Sequence, residues 1–315
     1  MLAIHTDHLT KDFTVGFWRK RPYRALDNLS LDVKVGEIFG FLGPNGAGKT
    51  TTLKLLMQLL FPTSGHAEIL GRPVGDVSMK RRIGYLPESP YLYDYLTAEE
   101  LLRYFAGLFG YTGQDRNARV SRLLDEVGIG GERRLQLRRF SKGMLQRVGI
   151  AQALINEPEV VFFDEPMSGL DPLGRRDVHS LILRLRDKGA TVFFSSHVLS
   201  DAETLCNQVA ILAAGRLVAA GSIADIHAFR VQGWELVVSA LPPGLAQSLG
   251  RRAAKITPIS DGRYVLELPL ETAPERLLDE LTRQGAKLVS LTPMRQTLED
   301  FFVERVAHEA RVVDA

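Results

Sequence analysis

The feature that most constrains how this chain folds is a glycine-rich segment between two regular patterns. The segment reads Gly43, Pro44, Asn45, Gly46, Ala47, Gly48, Lys49, Thr50 and Thr51. Residues 37–42 before it form a largely apolar run that predicts a buried strand, and residues 49–60 carry apolar side chains at helical spacing. Pro62 and Gly65 end that helical pattern. The sequence therefore predicts a strand, a tight turn and a helix in immediate succession.

A turn of this kind is typical of a phosphate-binding site. Its glycines allow the backbone to wrap around phosphate groups and turn N–H groups toward them, and the following helix adds the positive end of its dipole. The spacing is that of the P-loop, in which Lys49 would contact the β- and γ-phosphates and the Thr50 hydroxyl would bind Mg²⁺. The alternative is a tight turn with an incidental lysine. We expect residues 43–51 to bind a nucleoside triphosphate.

A second apolar run ends in two carboxylates. Residues 160–163 predict a buried strand, and Asp164 and Glu165 follow it directly. In a parallel sheet the carboxyl end of this strand lies beside the P-loop. We therefore expect Asp164 to hold Mg²⁺ and Glu165 to act as the general base that polarises the attacking water. The alternative is a strand that ends in solvated acids.

Strand and helix patterns alternate through the first two thirds of the chain. Further strands are predicted over 82–86, 191–194 and 208–212, and helices over 97–109, 116–127, 141–155 and 172–188. This alternation predicts an α/β fold with a parallel sheet covered by helices. A hairpin near residues 215–221 closes the unit, so we expect one domain over 1–227.

The remaining residues, 228–315, predict a small α+β domain. Their strand-like segments are 234–239, 263–268 and 287–291, and their helix-like segments are 243–249, 273–284 and a closing helix from Thr297.

Composition narrows the classes of partner. Lys and Arg number 39 against 37 Asp and Glu, which argues against a nucleic-acid-binding surface. The first 13 residues are interrupted by charged and histidine side chains, so they do not predict a signal peptide. No apolar run approaches the roughly 20 residues that span a bilayer. The expected location is the cytoplasm, and any passage through a membrane belongs to another protein.

The segment before Asp164 resembles the signature motif of ABC ATPases. It reads Phe140, Ser141, Lys142, Gly143, Met144, Leu145, Gln146, Arg147 and Val148. The family consensus has Gly and Gln where this chain has Lys142 and Met144. Ser141 predicts a helix N-cap, whose helix would present N–H groups and its dipole to an anion. The resemblance implies that Ser141 and Gly143 contact the γ-phosphate of ATP bound to the opposite subunit.

Further motifs follow the order of the same family. Residues 168–171 resemble the loop that couples two sites across the dimer, and His197 resembles the histidine that contacts the γ-phosphate. Phe13 resembles the aromatic residue that stacks on adenine, with core packing as the alternative. Glu88 replaces the family's glutamine, and a carboxylate there could bind Mg²⁺ or position water.

The resemblance also implies an architecture and partners. The expected core has a parallel sheet, an antiparallel β subdomain and a helical subdomain. Two copies would form a homodimer bound to separately encoded membrane permease subunits, which places the chain on the inner face of the cell membrane. Residues 297–302 are similar to the closing helix of the branch that exports drugs, polysaccharides and lipids. Tyrosines between residues 91 and 111 would face the permease.

Two alternatives belong to other functional classes. One is a soluble ABC ATPase that acts on ribosomes or DNA, whose relatives carry two cassettes in one chain or a long coiled coil; this sequence has neither feature. The other is a regulatory nucleotide-binding module without turnover, against which Glu165 and His197 argue.

Overall fold

The computed structural model describes residues 1–16, 20–224, 231–241, 249, 253–260 and 262–295. The predicted helix from Thr297, the exporter-like segment 297–302 and most of the predicted helix over 243–249 lie outside these residues. The chain divides into two compact units, Met1–Ile223 and a second that begins at Ala224. The boundary expected after residue 227 falls within residues 225–230, which are not described, so it stays a prediction.

The first unit contains ten described strands and six described α-helices. The strands are β1 Leu2–Val15, β2 Arg21–Lys34, β3 Ile38–Leu42, β4 Ser64–Ile69, β5 Arg72–Pro73, β6 Ile83–Leu86, β7 Val160–Asp164, β8 Thr191–Ser196, β9 Gln208–Ala213 and β10 Arg216–Ser222. The helices are α1 Lys49–Leu56, α2 Ala98–Leu108, α3 Gly113–Glu126, α4 Lys142–Ala153, α5 Pro172–Asp187 and α6 Leu199–Leu205. Short 3₁₀ helices cover Val77–Arg82 and Leu137–Arg139.

The main sheet has the strand order β10-β9-β3-β8-β7-β6. Its strands pair in parallel except for β10, which forms the predicted hairpin with β9. Every residue of β3, β7 and β8 is buried, as expected for parallel strands covered on both faces. Rings of Phe39, Phe162 and Phe193 pack together at its centre, and the first and last stack at 5.5 Å between centroids. The predicted α/β class is confirmed.

A second sheet is antiparallel and has the order β2-β1-β4-β5. Its inner face contributes Ile4, Leu29 and Val33 to a core shared with Leu53 of α1. The outer face is polar; His5 Nδ1, for example, lies 2.6 Å from Asp32 Oδ1. This sheet is the antiparallel β subdomain that the resemblance implied, although the residue pattern alone did not locate its strands.

Helix boundaries have local causes. Thr97 and Glu100 form a capping box at the start of α2, because each side chain accepts a hydrogen bond from the other's backbone N–H. Helix α1 ends at Leu56, four residues before the predicted end at Leu60. Gln58 takes a left-handed conformation at φ +53°, and the Leu59 N–H then bonds to Lys54 O, which closes the helix.

The described residues of the second unit form a four-stranded antiparallel sheet and one helix. Its elements are β11 Val231–Ser239, β12 Lys255–Ser260, β13 Arg263–Pro269, α7 Pro274–Arg283 and β14 Lys287–Arg295, and its strand order is β12-β13-β11-β14. Leu277 and Leu281 of α7 share a core with Leu236 and Leu266 of the sheet. The predicted α+β character is confirmed. Strand β12 was missed because it carries Pro258, which an edge strand tolerates.

None of the helices in the described part of the chain combines the length and apolar character that crossing a bilayer requires.

Gly40 offers a test of the packing behind β3. A Cβ at this position would lie 2.8 Å from Cys206 Sγ and 3.1 Å from Val209 Cγ1. Gly40→Ala should therefore lower the free energy of unfolding by about 1–3 kcal/mol, measured in urea. Cys206→Ala in the same chain should restore part of the loss. Gly221→Ala, whose Cβ would meet no atom within 4 Å, is the matched control, and an equal loss there would contradict this packing.

Candidate active site

The glycine-rich segment links β3 to α1 at the carboxyl edge of the parallel sheet. Gly48 takes φ +105°, and a Cβ there would lie 2.6 Å from Ala25 O, so both the conformation and the space require glycine. Within the described structure, α1 starts without a side-chain cap and without an acidic residue in its first turn. Its first N–H groups therefore remain available to an anion.

A cavity of about 330 Å³ opens over this segment. It is lined by Phe13, Tyr23, Ala25, Asn45, Gly46, Ala47, Gly48, Lys49, Thr50, Thr51, Glu88 and Glu165. The lining residues come from five separate parts of the chain, and they include most of those predicted to bind the nucleotide, Phe13 and residues 45–51. Gly43 and Pro44 are not among the lining residues; their carbonyl oxygens accept hydrogen bonds from Lys49 Nζ at 2.7 and 3.3 Å.

Tyr23 lines this cavity and was not predicted to do so. It lies directly opposite Phe13 in the pairing of β2 with β1, so the two side chains share one face of the sheet. In the sequence, Tyr23 is an aromatic residue shortly after Phe13, the residue predicted to contact adenine. Its place in the cavity could be recognised only with the register of the β1–β2 hairpin.

Of the three predicted catalytic residues, Glu165 contacts the other two. Glu165 is 7% exposed; its Oε1 lies 3.2 Å from Lys49 Nζ, and its Oε2 lies 2.8 Å from His197 Nδ1. Because an ionised carboxylate only accepts hydrogen bonds, His197 Nδ1 carries the hydrogen of this contact. The carboxylate of Glu165 is therefore held by a hydrogen bond at Oε2, while Oε1 has the charge of Lys49 beside it but no hydrogen bond within the described structure.

Asp164 is almost completely buried. Its Oδ1 accepts a hydrogen bond from Ser195 Oγ at 2.6 Å, and the Thr50 hydroxyl lies near the carboxylate. Burial raises the pKa of Asp164 above its ordinary value, and the nearby charges of Glu88 and Glu165 add to that effect, while the hydroxyls of Ser195 and Thr50 oppose it. Sequence reasoning did not single out Ser195, whose role depends on the pairing of β7 with β8.

The carboxylate of Asp164 has an oxygen that could bind a hard cation such as Mg²⁺. Asp164 Oδ2 is buried and has no hydrogen-bond partner in the described structure. A buried anionic oxygen of this kind is stabilised by a positive ion. No group of three or more His, Cys, Asp or Glu side chains among the described residues is placed to hold a metal by itself.

The predicted signature helix α4 starts outside this cavity. Ser141 caps it, since its Oγ accepts from Met144 N at 3.3 Å. Gln146 Nε2 donates to Pro166 O at 3.1 Å and ties the helix to the segment after Glu165. Neither Ser141 nor Gly143 lines the cavity of its own chain.

Fold and site together define a P-loop ATPase. Residues 26–168 match the ABC transporter family. The chain is 44% identical over 309 residues to the Uncharacterized ABC transporter ATP-binding protein sll0415 of Synechocystis, a match that covers 96% of this chain and 84% of the relative. It is 32% identical over 313 residues to the bacitracin transport ATP-binding protein BcrA of Enterococcus faecalis, with 95% of each covered.

A solved structure agrees with these relatives. The chain resembles the ATP-binding cassette MJ0796, described as a dimeric post-hydrolysis state bound to ADP and Pi, with a TM-score of 0.64 and 27% identity; 70% of this chain and 98% of that one are covered. This chain belongs to the ABC transporter family and is an ATP-binding subunit of that family, with the ATPase activity of its class.

The position of Lys49 in the loop predicts that its removal weakens ATP binding. Lys49→Ala should weaken ATP binding about 10- to 100-fold, because it removes charge-assisted hydrogen bonds to phosphate. Fluorescence titration with a labelled ATP analogue measures this. Lys54→Ala, which removes an exposed lysine from the same helix, should leave the affinity unchanged. Equal affinities of both variants would contradict the assignment of Lys49.

Proposed function

We propose that this chain is the motor subunit of an exporter. ATP joins two copies face to face, hydrolysis and phosphate release let them separate, and this movement drives a separately encoded membrane permease. The observation that carries the proposal is the buried carboxylate of Glu165, held between Lys49 and His197 at the rim of the P-loop cavity.

Hydrolysis needs a base beside the terminal phosphate. Glu165 lines the cavity, its Oε2 is hydrogen-bonded to His197, and it lies next to the lysine that would contact the β- and γ-phosphates. His197 would hold the carboxylate in place and reach the γ-phosphate. Thr50 and Asp164 would hold Mg²⁺, with Glu88 as a further oxygen ligand at the cavity. When bound, the ion neutralises charge that develops on the transferred phosphoryl group.

The second copy would complete the site. Helix α4 begins at Ser141 and Gly143, which do not line their own cavity, so its N–H groups and dipole are free to serve another chain. Phosphate capped by that helix would lie between the two protomers. The dimeric arrangement of MJ0796 supports a pair of this kind.

The membrane partner would bind the tyrosine-rich surface after Glu88. Tyr91, Tyr93, Tyr95 and Tyr104 are 98%, 47%, 61% and 50% exposed, and aromatic side chains are common at protein interfaces. Rings of Tyr93 and Tyr104 meet edge to face with centroids 6.2 Å apart, so they form one patch. Such docking would place the chain peripherally on the cytoplasmic face of the cell membrane.

We propose a role in transport, and export as its direction, because of similarity to known transport proteins. BcrA is named for bacitracin transport, and the segment 297–302 is similar to the drug, polysaccharide and lipid exporter branch. The near balance of acidic and basic residues supports a protein partner over nucleic acid. We assign residues 1–227 to the ATPase domain and 228–315 to an accessory domain of the same subunit.

Glu165→Gln tests the base. The amide keeps the size of the side chain but accepts no proton, so ATP hydrolysis should fall about 100-fold or more while ATP still binds. The variant should also accumulate as an ATP-bound dimer on a sizing column. Glu271→Gln, an exposed site in the second unit, should hydrolyse ATP normally. An unchanged rate in Glu165→Gln would refute the assigned role.

A mixing experiment tests whether two chains share each site. Lys49→Ala removes the P-loop lysine, and Ser141→Arg blocks the start of α4; each variant alone should be inactive. In a mixed dimer one site carries both changes and the other carries neither, so the mixture should hydrolyse ATP faster than either variant alone. A mixture no more active than its components would contradict the shared site.

A further inference from the structure

Ser195 occupies a completely buried position at the end of β8. It pairs in register with Asp164 of the neighbouring strand β7. Its Oγ donates to Asp164 Oδ1 at 2.6 Å and accepts from the Glu165 N–H at 3.0 Å. The same hydroxyl thus donates a hydrogen bond to one acidic residue and accepts one from the backbone of the next.

The contact with Asp164 distinguishes the two carboxylate oxygens. Oδ1 receives the hydroxyl hydrogen, whereas Oδ2 is buried and has no hydrogen-bond partner among the described residues. A carboxylate held at one oxygen cannot rotate freely. The position of the other oxygen, Asp164 Oδ2, is therefore fixed as well.

The contact with Glu165 stabilises an unusual backbone. Glu165 takes φ +51°, a left-handed conformation that residues with a Cβ rarely adopt. Such a conformation persists only where its surroundings fix it, and the buried N–H of Glu165 is bonded to Ser195 Oγ. This turn sets where the Glu165 side chain leaves the strand.

Ser196, the next residue, makes different contacts. Ser196 Oγ accepts from Val198 N at 2.9 Å and lies 3.2 Å from Val198 O, so its contacts remain within its own turn. The bridge between the two acids belongs to Ser195.

We infer that Ser195 is a positioning residue that sets both carboxylates of the site, keeping an oxygen of Asp164 available to Mg²⁺ and the side chain of Glu165 directed toward the water. This inference rests on the proposed Mg²⁺-dependent hydrolysis. Groups that orient a metal ligand through a hydrogen bond typically change metal affinity or activity about 10- to 100-fold when removed.

The test compares ATP binding with and without metal. A fluorescent ATP analogue is titrated into the full chain in EDTA and in Mg²⁺, and the ratio of the two affinities reports the metal's contribution. Ser195→Ala should lower this ratio about 10-fold or more and leave the affinity in EDTA unchanged. The kcat for ATP should fall at least as far, while Ser195→Thr, which keeps the hydroxyl, should recover the ratio.

Thr191→Val is the matched control. Thr191 is buried at the start of the same strand, where its Oγ1 accepts from Gly36 N at 2.9 Å, so the variant loses a buried hydroxyl away from the site. It should lower the melting temperature and leave the affinity ratio unchanged.

Three results would overturn the inference. They are a wild-type ratio in Ser195→Ala, an equal fall of the ratio in Thr191→Val, and failure of Ser195→Thr to recover it. If the wild-type chain binds ATP but neither gains affinity with Mg²⁺ nor hydrolyses it, the proposed function itself fails. Normal Mg²⁺-dependent turnover in both wild type and Ser195→Ala would remove only the role of Ser195.

Discussion

The site depends on one buried contact between opposite charges, Lys49 with Glu165. Each side chain is less than a tenth exposed, and a charge at such depth is stable only with a partner. The same two residues are the ones that a nucleotide would need, one for its phosphates and one for water. Binding of a triphosphate would therefore replace a contact that already exists, and the loop would be shaped before the ligand arrives.

The sequence predicted most of this site because the motifs that bind nucleotide also indicate which secondary-structure elements flank them. A P-loop lies between a strand and a helix, and an apolar run such as residues 160–163 is typical of a strand in a sheet covered on both faces. The carboxyl ends of β3, β7 and β8 then had to meet at one edge. That reasoning brought Lys49 and Glu165 together, and the family resemblance added His197; in the structure Glu165 contacts both.

Other features depended on register, which a single sequence does not give. Strand β1 carries polar residues on its outer face, so it lacks the continuous apolar run that revealed β3. Tyr23 reaches the cavity only because a hairpin pairs it with Phe13, and Ser195 meets Asp164 only because β7 and β8 align those residues. Their residue types, a tyrosine near charged residues and a serine in an apolar strand, give no such indication by themselves.

Helix α4 is attached to the loop after Glu165 at two points. The Lys142 side chain lies so close over Gly169 that a Cβ there would come within 2.4 Å of Nζ, and Gln146 bonds to Pro166 O at 3.1 Å. In the proposed dimer, the end of α4 that serves the neighbouring protomer would therefore be held close to the segment that follows its own Glu165. A displacement of either would move the other, so a few ångströms of packed atoms would link the two reaction centres.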